Sequence, residues 1–548
     1  MTVTEAPRDA AVEAAAAPSP SAPPTGLAAV VGSGDPRIVG KLFVGTSLLF
    51  LLASGVAGAL VGFEQFDSAS GDIFGAETAQ RVFTLHSTTA LFLGVLPLFV
   101  GLATAVVPLQ VGASTIAFPR ASAAAYWTWL VSSGLVLASY AFDGGPFGSE
   151  DDLVALYVAG LIALIVALAV ATVSLVTTVL TLRAPGMSLR RAPLFSWSVL
   201  VAGSVWLLTL PVLAGVLLLT YLDLRYGQQF LGGSARVYDR LAWVFWQPTL
   251  YVFAVPALGV IADVVPVFAR RRHRNHGAAM FLIGLAAALG FGAWAQLGVS
   301  VDGATNATPW VNEGPWMAVG ILAVLPVLGL LGLWTLTLLL GKVRLGTPLI
   351  VAVFSGLLLV AGIGAGVLTP IGDLDLVGTT WMTAQADLVL LGAALAGLAG
   401  VAFWAPKIYG KLLPDGLVRL GATLVALGAL VAAVPQAVAG LVYDQARFVA
   451  GGTATVDPGD LDTVETLDLV SAIGLAVVVL GGLAVVAALA ARRRRDPGDD
   501  PWDGHTLEWT TSSPPPVGNF ATVPAITSEA PLYDARHAAA TDATEASA

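Results

Sequence analysis

The stretch LHSTTALFLGVLPLFVGLATAVVPLQ, from Leu85 to Gln110, decides how the chain must be read. It carries no Asp, Glu, Lys or Arg. It is longer than the roughly 20 apolar residues that cross the hydrocarbon core of a bilayer. At that depth there is no water to bond peptide groups, so the backbone must satisfy itself as a helix. Apolar and polar residues do not alternate along it, which argues against a barrel strand. One ionisable ring, His86, stands near its start. A group of that kind is costly inside lipid and is retained where a partner or a function holds it.

Runs of the same kind recur on both sides of this stretch. We place twelve spans at 38–62, 83–107, 122–143, 153–182, 195–220, 241–268, 277–299, 315–341, 348–370, 380–404, 417–442 and 468–491. The connecting loops sort by charge. One side carries Arg120, then Arg183, Arg190 and Arg191, then Arg270 to Arg272 and Arg274, then Lys342 and Arg344, then Lys407 and Lys411, and last Arg492 to Arg495. The other carries Glu64, Asp67 and Asp72, then Glu150 to Asp152, then Asp302, Glu313, Asp373 and Asp375, then Asp457, Asp460 and Asp462. Basic loops stay on the cytoplasmic side, so an even number of spans with both termini cytoplasmic is expected, in a bacterial-type plasma membrane. The composition agrees, with 56% hydrophobic and 11% charged residues over 548 positions. The fold class is therefore an all-α membrane bundle.

Three segments are expected. Residues 1–37 are rich in Ala, Pro, Ser and Gly and read as a disordered cytoplasmic tail, without the basic start and apolar core of a signal peptide. Residues 38–491 form the twelve-helix domain. Residues 492–548 are a basic anchor followed by a Pro/Ser-rich tail, lying along the cytoplasmic face or mobile. The net charge of -10 comes from loops and tails, and no basic face points to nucleic acid. The arginine runs suit anionic membrane lipid. Cysteine is absent, which excludes disulfides, iron–sulfur clusters, covalent c-type heme and a thiolate copper centre.

Several motifs give the chain a family resemblance. They are Leu85-His86-Ser87-Thr88-Thr89, Val107-Pro108-Leu109-Gln110-Val111-Gly112-Ala113 and Ala117-Phe118-Pro119-Arg120. Further on stand Leu182-Arg183-Ala184-Pro185-Gly186-Met187, Trp246-Gln247-Pro248-Thr249-Leu250-Tyr251, Trp294-Ala295-Gln296-Leu297 and Ala384-Gln385-Ala386-Asp387. The tail adds Asp500-Pro501-Trp502-Asp503-Gly504-His505-Thr506-Leu507-Glu508-Trp509. From about residue 38 to 535 the order and spacing resemble heme–copper oxidase subunit I, the large subunit of cytochrome c oxidase, in its bacterial form.

The resemblance implies a twelve-helix bundle that reduces oxygen at a high-spin heme facing a copper ion, fed by a low-spin heme. It also implies six intramembrane imidazoles, three on copper, one on the high-spin heme and two on the low-spin heme. The chain has five histidines, His86, His273, His276, His505 and His537, and only His86 falls in a span. His86 matches one low-spin heme ligand. The helix-ten pair of the family, two residues apart, is matched by Gln385 and Asp387. Two helical steps are about 200°, so these two face opposite ways. The helix-six copper ligand is matched by Gln247, with the family tyrosine kept as Tyr251. The helix-seven copper pair is matched by Gln296 and Leu297. The family's proton and magnesium residues are replaced as well, at Thr249, Thr115, Leu330, Val377 and Gly378, and its arginine pair is reduced to Ala446 and Arg447.

The expectation is a degenerate member that does not itself reduce oxygen, holds no copper and at most one heme, and acts as a structural, assembly or regulatory partner of respiratory subunits. Two alternatives stand beside it. One is a single-heme electron carrier using His86. The other is a proton or ion pathway centred on Asp387, with His86 across the pocket. The plainer reading of each residue is a polar side chain paired inside the bundle. Asp263, near the basic end of helix six, is expected to reach toward the arginines that follow it.

Overall fold

The computed structural model describes residues 26–66, 74–146, 148–230, 237–290, 318, 320–369, 371, 374–446, 456–491 and 496–538, with the side chains of 28, 76 and 237–251 left aside. Its helices are α1 (Pro36–Phe66), α2 (Glu77–Gln110), α3 (Pro119–Ala141), α4 (Asp151–Thr181), α5 (Leu194–Tyr226) and α6 (Val237–Ala269). They continue with α7 (His276–Gly290), α8 (Gly320–Leu339), α9 (Thr347–Gly366), α10 (Thr380–Tyr409), α11 (Asp415–Val442) and α12 (Leu461–Ala490). Among the described residues, eleven are long and apolar enough to cross a membrane. The twelfth, α7, is a shorter apolar helix, and the rest of its expected span lies outside the described residues. All twelve stand where the apolar runs place them. Most of the N-terminal segment expected to be disordered, residues 1–25, also lies outside the described residues. Within the remainder of it a short helix, Leu27–Val31, forms, and Val31 O accepts a hydrogen bond from Trp127 Nε1 at 3.1 Å.

The stretch from Leu85 to Gln110 makes up most of α2 and runs through the middle of the bundle. Every residue from Thr89 to Gln110 is buried. Within it, Thr89–Val95 is wound as a π-helix. The cause follows directly in the sequence. Pro97 has no N–H for the carbonyl one turn back, and its ring crowds that turn, so the preceding turn widens. A carbonyl loosened there finds an outside donor, as Trp129 Nε1 on α3 bonds Phe92 O at 3.0 Å.

Neighbouring helices meet through small residues, because lipid gives apolar side chains no reason to cluster and close backbone contact must supply the attraction. A Cβ built on Gly40 of α1 would stand 2.7 Å from Gly101 O of α2. Between α11 and α12 a Cβ on Gly428 would meet Gly474 O at 2.7 Å, and one on Gly421 would meet Gly481 O at 2.8 Å.

The two ends of the bundle differ as the loops predict. Two arginines at the acidic end, Arg81 and Arg225, are paired with Asp143 and Asp152. The C-terminal segment 496–538 packs against the basic end. Lys407 is fully buried and its Nζ donates to Asp499 O at 2.9 Å and to Thr511 O at 2.5 Å. Asn519 Nδ2 donates to Ala113 O at 2.8 Å, and Trp502 Nε1 to Phe403 O at 2.9 Å. Arg272 pairs with Glu529 and Asp534, each at 3.1 Å. Lys407 and Arg272 at the basic end therefore bind the chain's own tail.

The close α11–α12 seam makes one prediction. Gly428→Val should force the two helices apart and cost about 1–3 kcal/mol, read as a lower thermal midpoint of the detergent-solubilised chain. Leu427, the preceding residue, faces outward. Leu427→Val serves as the control and should leave the midpoint unchanged within about 0.5 kcal/mol.

Candidate functional site

The first polar cluster is built on His86. Ser54 of α1 faces it across the α1–α2 contact, and Ser54 Oγ donates to His86 O at 2.9 Å. His86 Nδ1 lies 2.7 Å from Ser54 O. A carbonyl can only accept, so Nδ1 carries the proton and Nε2 is the ring's acceptor. Gly58, one turn further along α1, makes room for the ring, since a Cβ there would sit 2.7 Å from the imidazole. Such a carbonyl-fixed tautomer is also the one metal-bound histidines adopt.

His86 lines a cavity of about 120 Å³ between α1, α2, α10, α11 and α12. Leu51, Leu391, Ala394, Val478 and Val485 supply apolar wall. Asp387 of α10 lines the same cavity. The structure thus brings together His86 and Asp387, two residues far apart in the sequence. Gln385, two residues earlier, is buried elsewhere and accepts from Thr369 Oγ1 at 3.2 Å. Gln247, Thr249 and Tyr251 lie on α6 among the side chains left aside, and Gln296, Leu297 and Arg447 fall outside the described residues. Leu330 is buried on α8, whereas Val377 is exposed beside Gly378.

A second cluster, at the basic end, joins residues that the sequence does not single out as a site. Gln110, the last residue of α2, donates from Nε2 to Asp263 Oδ2 at 2.8 Å and to Glu508 Oε1 at 3.2 Å. Its Oε1 accepts from Ser196 Oγ at 2.7 Å. Asp263 does not reach for the arginines beyond α6, contrary to expectation. It turns inward and accepts from the backbone N–H of Leu194 at 3.0 Å and of Phe195 at 3.2 Å. Those N–H groups open α5, whose preceding residue, Pro193, gives no side-chain cap. A carboxylate at a helix start satisfies orphan donors and the positive end of the dipole together. Glu508 is fully buried and accepts from Trp404 Nε1 at 3.0 Å. Burial pushes the Glu508 carboxyl above its usual range. The signal available in the sequence is a glutamine ending an apolar helix and a glutamate flanked by Leu507 and Trp509.

A third cluster joins loop to tail. His273, His276 and His505 line a cavity of about 40 Å³ with Arg272 and Glu529. His273 Nε2 donates to Ala262 O at 3.0 Å. Among the described residues, no group of three His, Asp or Glu is placed to hold a metal ion.

Comparison with known proteins places this architecture. Residues 38–477 match the family model described as cytochrome C and quinol oxidase polypeptide I. The chain belongs to that family. It is 30% identical over 528 residues to cytochrome c oxidase subunit 1 of Bacillus subtilis, covering 91% of this chain and 82% of that protein. It is 28% identical over 518 residues to cytochrome c oxidase subunit 1 of Thermostichus vulcanus, covering 90% of each. The fold matches a chain of a heme–copper terminal oxidase dimer with a TM-score of 0.71, at 14% identity, over 84% of this chain and 85% of that one. The family resemblance read from the motifs is therefore established, and the oxidase-type bundle with it.

The third cluster makes the tail of this oxidase-family chain sensitive to acid. Burial, then the charges of Arg536, His537, Arg272 and His273, lower His505 to about 3, and burial first of all lowers His273 to about 4. Both are held neutral when packed and titrate near 6.5 when released. Their contribution is fully present above about pH 6.5 and is lost as pH falls through the packed values. Limited proteolysis of the tail should be slow at about pH 7.5 and faster at about pH 5. His505→Gln should flatten that dependence.

Proposed function

We propose that this chain is an oxidase-family subunit that does not itself reduce oxygen and serves as a structural, assembly or regulatory partner of other respiratory subunits. On this reading it sits in the plasma membrane with both termini cytoplasmic, its basic loops against anionic lipid. The observation that carries this is the imidazole count. Oxygen chemistry of the family type calls for six intramembrane histidines, and of the five in the chain only His86 stands within a span, His276 being the first residue of α7 beside the arginine loop.

The low-spin heme position allows a direct test of fit. One side offers His86, and the residue that matches the second ligand is Asp387, a carboxyl on the wall of the same cavity. A low-spin heme held by two imidazoles finds one here, since the residue across from His86 is a carboxyl. The matched positions Gln247, Gln296 and Leu297 offer copper no imidazole, and amide side chains are poor ligands for it.

A second reading has one observation in its favour. The Ser54 carbonyl fixes the His86 proton on Nδ1 and leaves Nε2 with its lone pair, which suits a single axial bond to heme. Absorption spectroscopy with total iron and copper separates the two. The expected result for the purified full chain is no Soret band and no stoichiometric copper. One heme per chain, lost in His86→Ala, would establish the electron-carrier reading. Two hemes and one copper would sink the proposal. Co-purification with other respiratory subunits is expected under the first reading.

A further inference from the structure

We infer that Asp263 and Glu508 hold a single proton between them, carried on Glu508 Oε2, and that the C-terminal segment takes up this proton when it docks on the bundle.

Two buried carboxyls meet on one nitrogen. Gln110 Nε2 donates to Asp263 Oδ2 at 2.8 Å and to Glu508 Oε1 at 3.2 Å, which spends both of its N–H groups. The donors to the pair are neutral groups, among them the Trp404 indole and the backbone of Leu194 and Phe195. Lys407 of α10 acts on Glu508 through space, but its Nζ is turned to the carbonyls of Asp499, Thr511 and Ser512. Arg272, in the loop after α6, is taken up by Glu529 and Asp534. His273, His276, His505 and Glu529 share a cavity wall with Asp263. Two like charges this close, buried and without a bonded cation, do not both persist, so one carboxyl keeps its proton.

The donor sets decide which one. Asp263 accepts from three N–H groups, and two of them open α5, where the helix dipole favours an anion. Glu508 accepts from Trp404 and Gln110 on Oε1 alone, and its Oε2 is buried without a hydrogen-bond partner. An ionised oxygen there would be desolvated with no donor bonded to it, whereas a protonated one carries no charge. Thr506 stands beside this carboxyl, and its hydroxyl serves either form, as donor or as acceptor. Burial raises the Glu508 carboxyl in the same sense.

Asp263 belongs to α6 and Glu508 to the tail, so the proton reports docking. Released from the bundle, Glu508 ionises near its ordinary value of about 4.3. The help that the raised carboxyl gives to docking is therefore full below about pH 4.3 and fades as pH rises toward the docked value. Over that interval the released population grows by up to about tenfold per pH unit. Below about pH 6.5, release also lets His273 and His505 take up protons, two against one, so acid still loosens the tail.

The test is limited proteolysis of the tail on the full chain in phosphatidylcholine nanodiscs, comparing the unaltered protein with Glu508→Gln. Glutamine has the shape of the protonated acid and no acidic proton to lose. The ratio of the two cleavage rates cancels the histidines and the protease. Between about pH 5 and about pH 7.5, the rate of the unaltered chain relative to the variant should rise about tenfold or more. Infrared spectroscopy gives a readout that needs no variant. With the glutamate side-chain carboxyls labelled by a heavy carbon isotope, an acid C=O band of the unaltered chain should shift at about pH 7.5. In Glu508→Gln that shifting band should be lost. A rate ratio that stays level over the interval, no isotope-shifted acid band, or a band that survives Glu508→Gln would overturn the inference.

Discussion

The amide of Gln110 is the joint on which this end of the molecule depends. It ends the buried central helix, and its two halves reach three other parts of the chain. Its N–H groups meet Asp263 of α6 and Glu508 of the tail, and its carbonyl meets Ser196 of α5. Asp263 in turn holds the first N–H groups of α5, and Glu508 holds Trp404 of α10. In an apolar interior none of these groups has water to fall back on, so each is tolerated because the next supplies a bond. The partners come from sequence separations of 153 and 398 residues, so the network forms only when the whole bundle is assembled. That makes the tail part of the fold.

The fold is largely legible in the sequence because membranes restrict it so strongly. Apolar runs give helices, and loop charge gives their alternation, without knowledge of any side-chain contact. The placement of Gln385 and Asp387 on different sides of α10 is legible too, since it follows from helical rotation alone. Asp263 departs from its expected partners for a physical reason. Its neighbours in sequence are arginines, whereas its neighbours in space are the otherwise unsatisfied N–H groups of Leu194 and Phe195. Proximity along the chain does not reveal a partner that arrives from another helix. The same reason hides Glu508, whose flanking Leu507 and Trp509 mark it as buried without saying against what. His273 and His505 lie far apart in sequence and meet only across the packed tail.

The two ends of the bundle carry different kinds of polar residue. At the basic end Gln110 and Glu508, both from the motifs, stand with Trp404 in a network whose bonds are internal to the chain. Around His86 the polar groups border open space. Family membership accounts for the first kind, because those contacts join helices whatever the bundle contains. It does not by itself assign chemistry to the second, since a fold carries function only through its site.

The His86 cavity is therefore where this chain departs most from a purely structural bundle. A helix packed for stability alone would close the gap with a larger apolar residue, or draw backbones together as the glycine seams of α1–α2 and α11–α12 do. Here Gly58 makes space for an imidazole, the Ser54 carbonyl fixes its tautomer, and a carboxyl on α10 shares the wall. An ionisable side chain at membrane depth costs about 2.5–3.5 kcal/mol on insertion scales. Two such residues bordering one apolar space are hard to reconcile with packing as their sole purpose. On the reading proposed, the pocket no longer holds the metal-bearing macrocycle for which the family's second imidazole would be needed. The opposite end of the molecule is joined independently of that pocket, where Gln110 binds helix, helix and tail together.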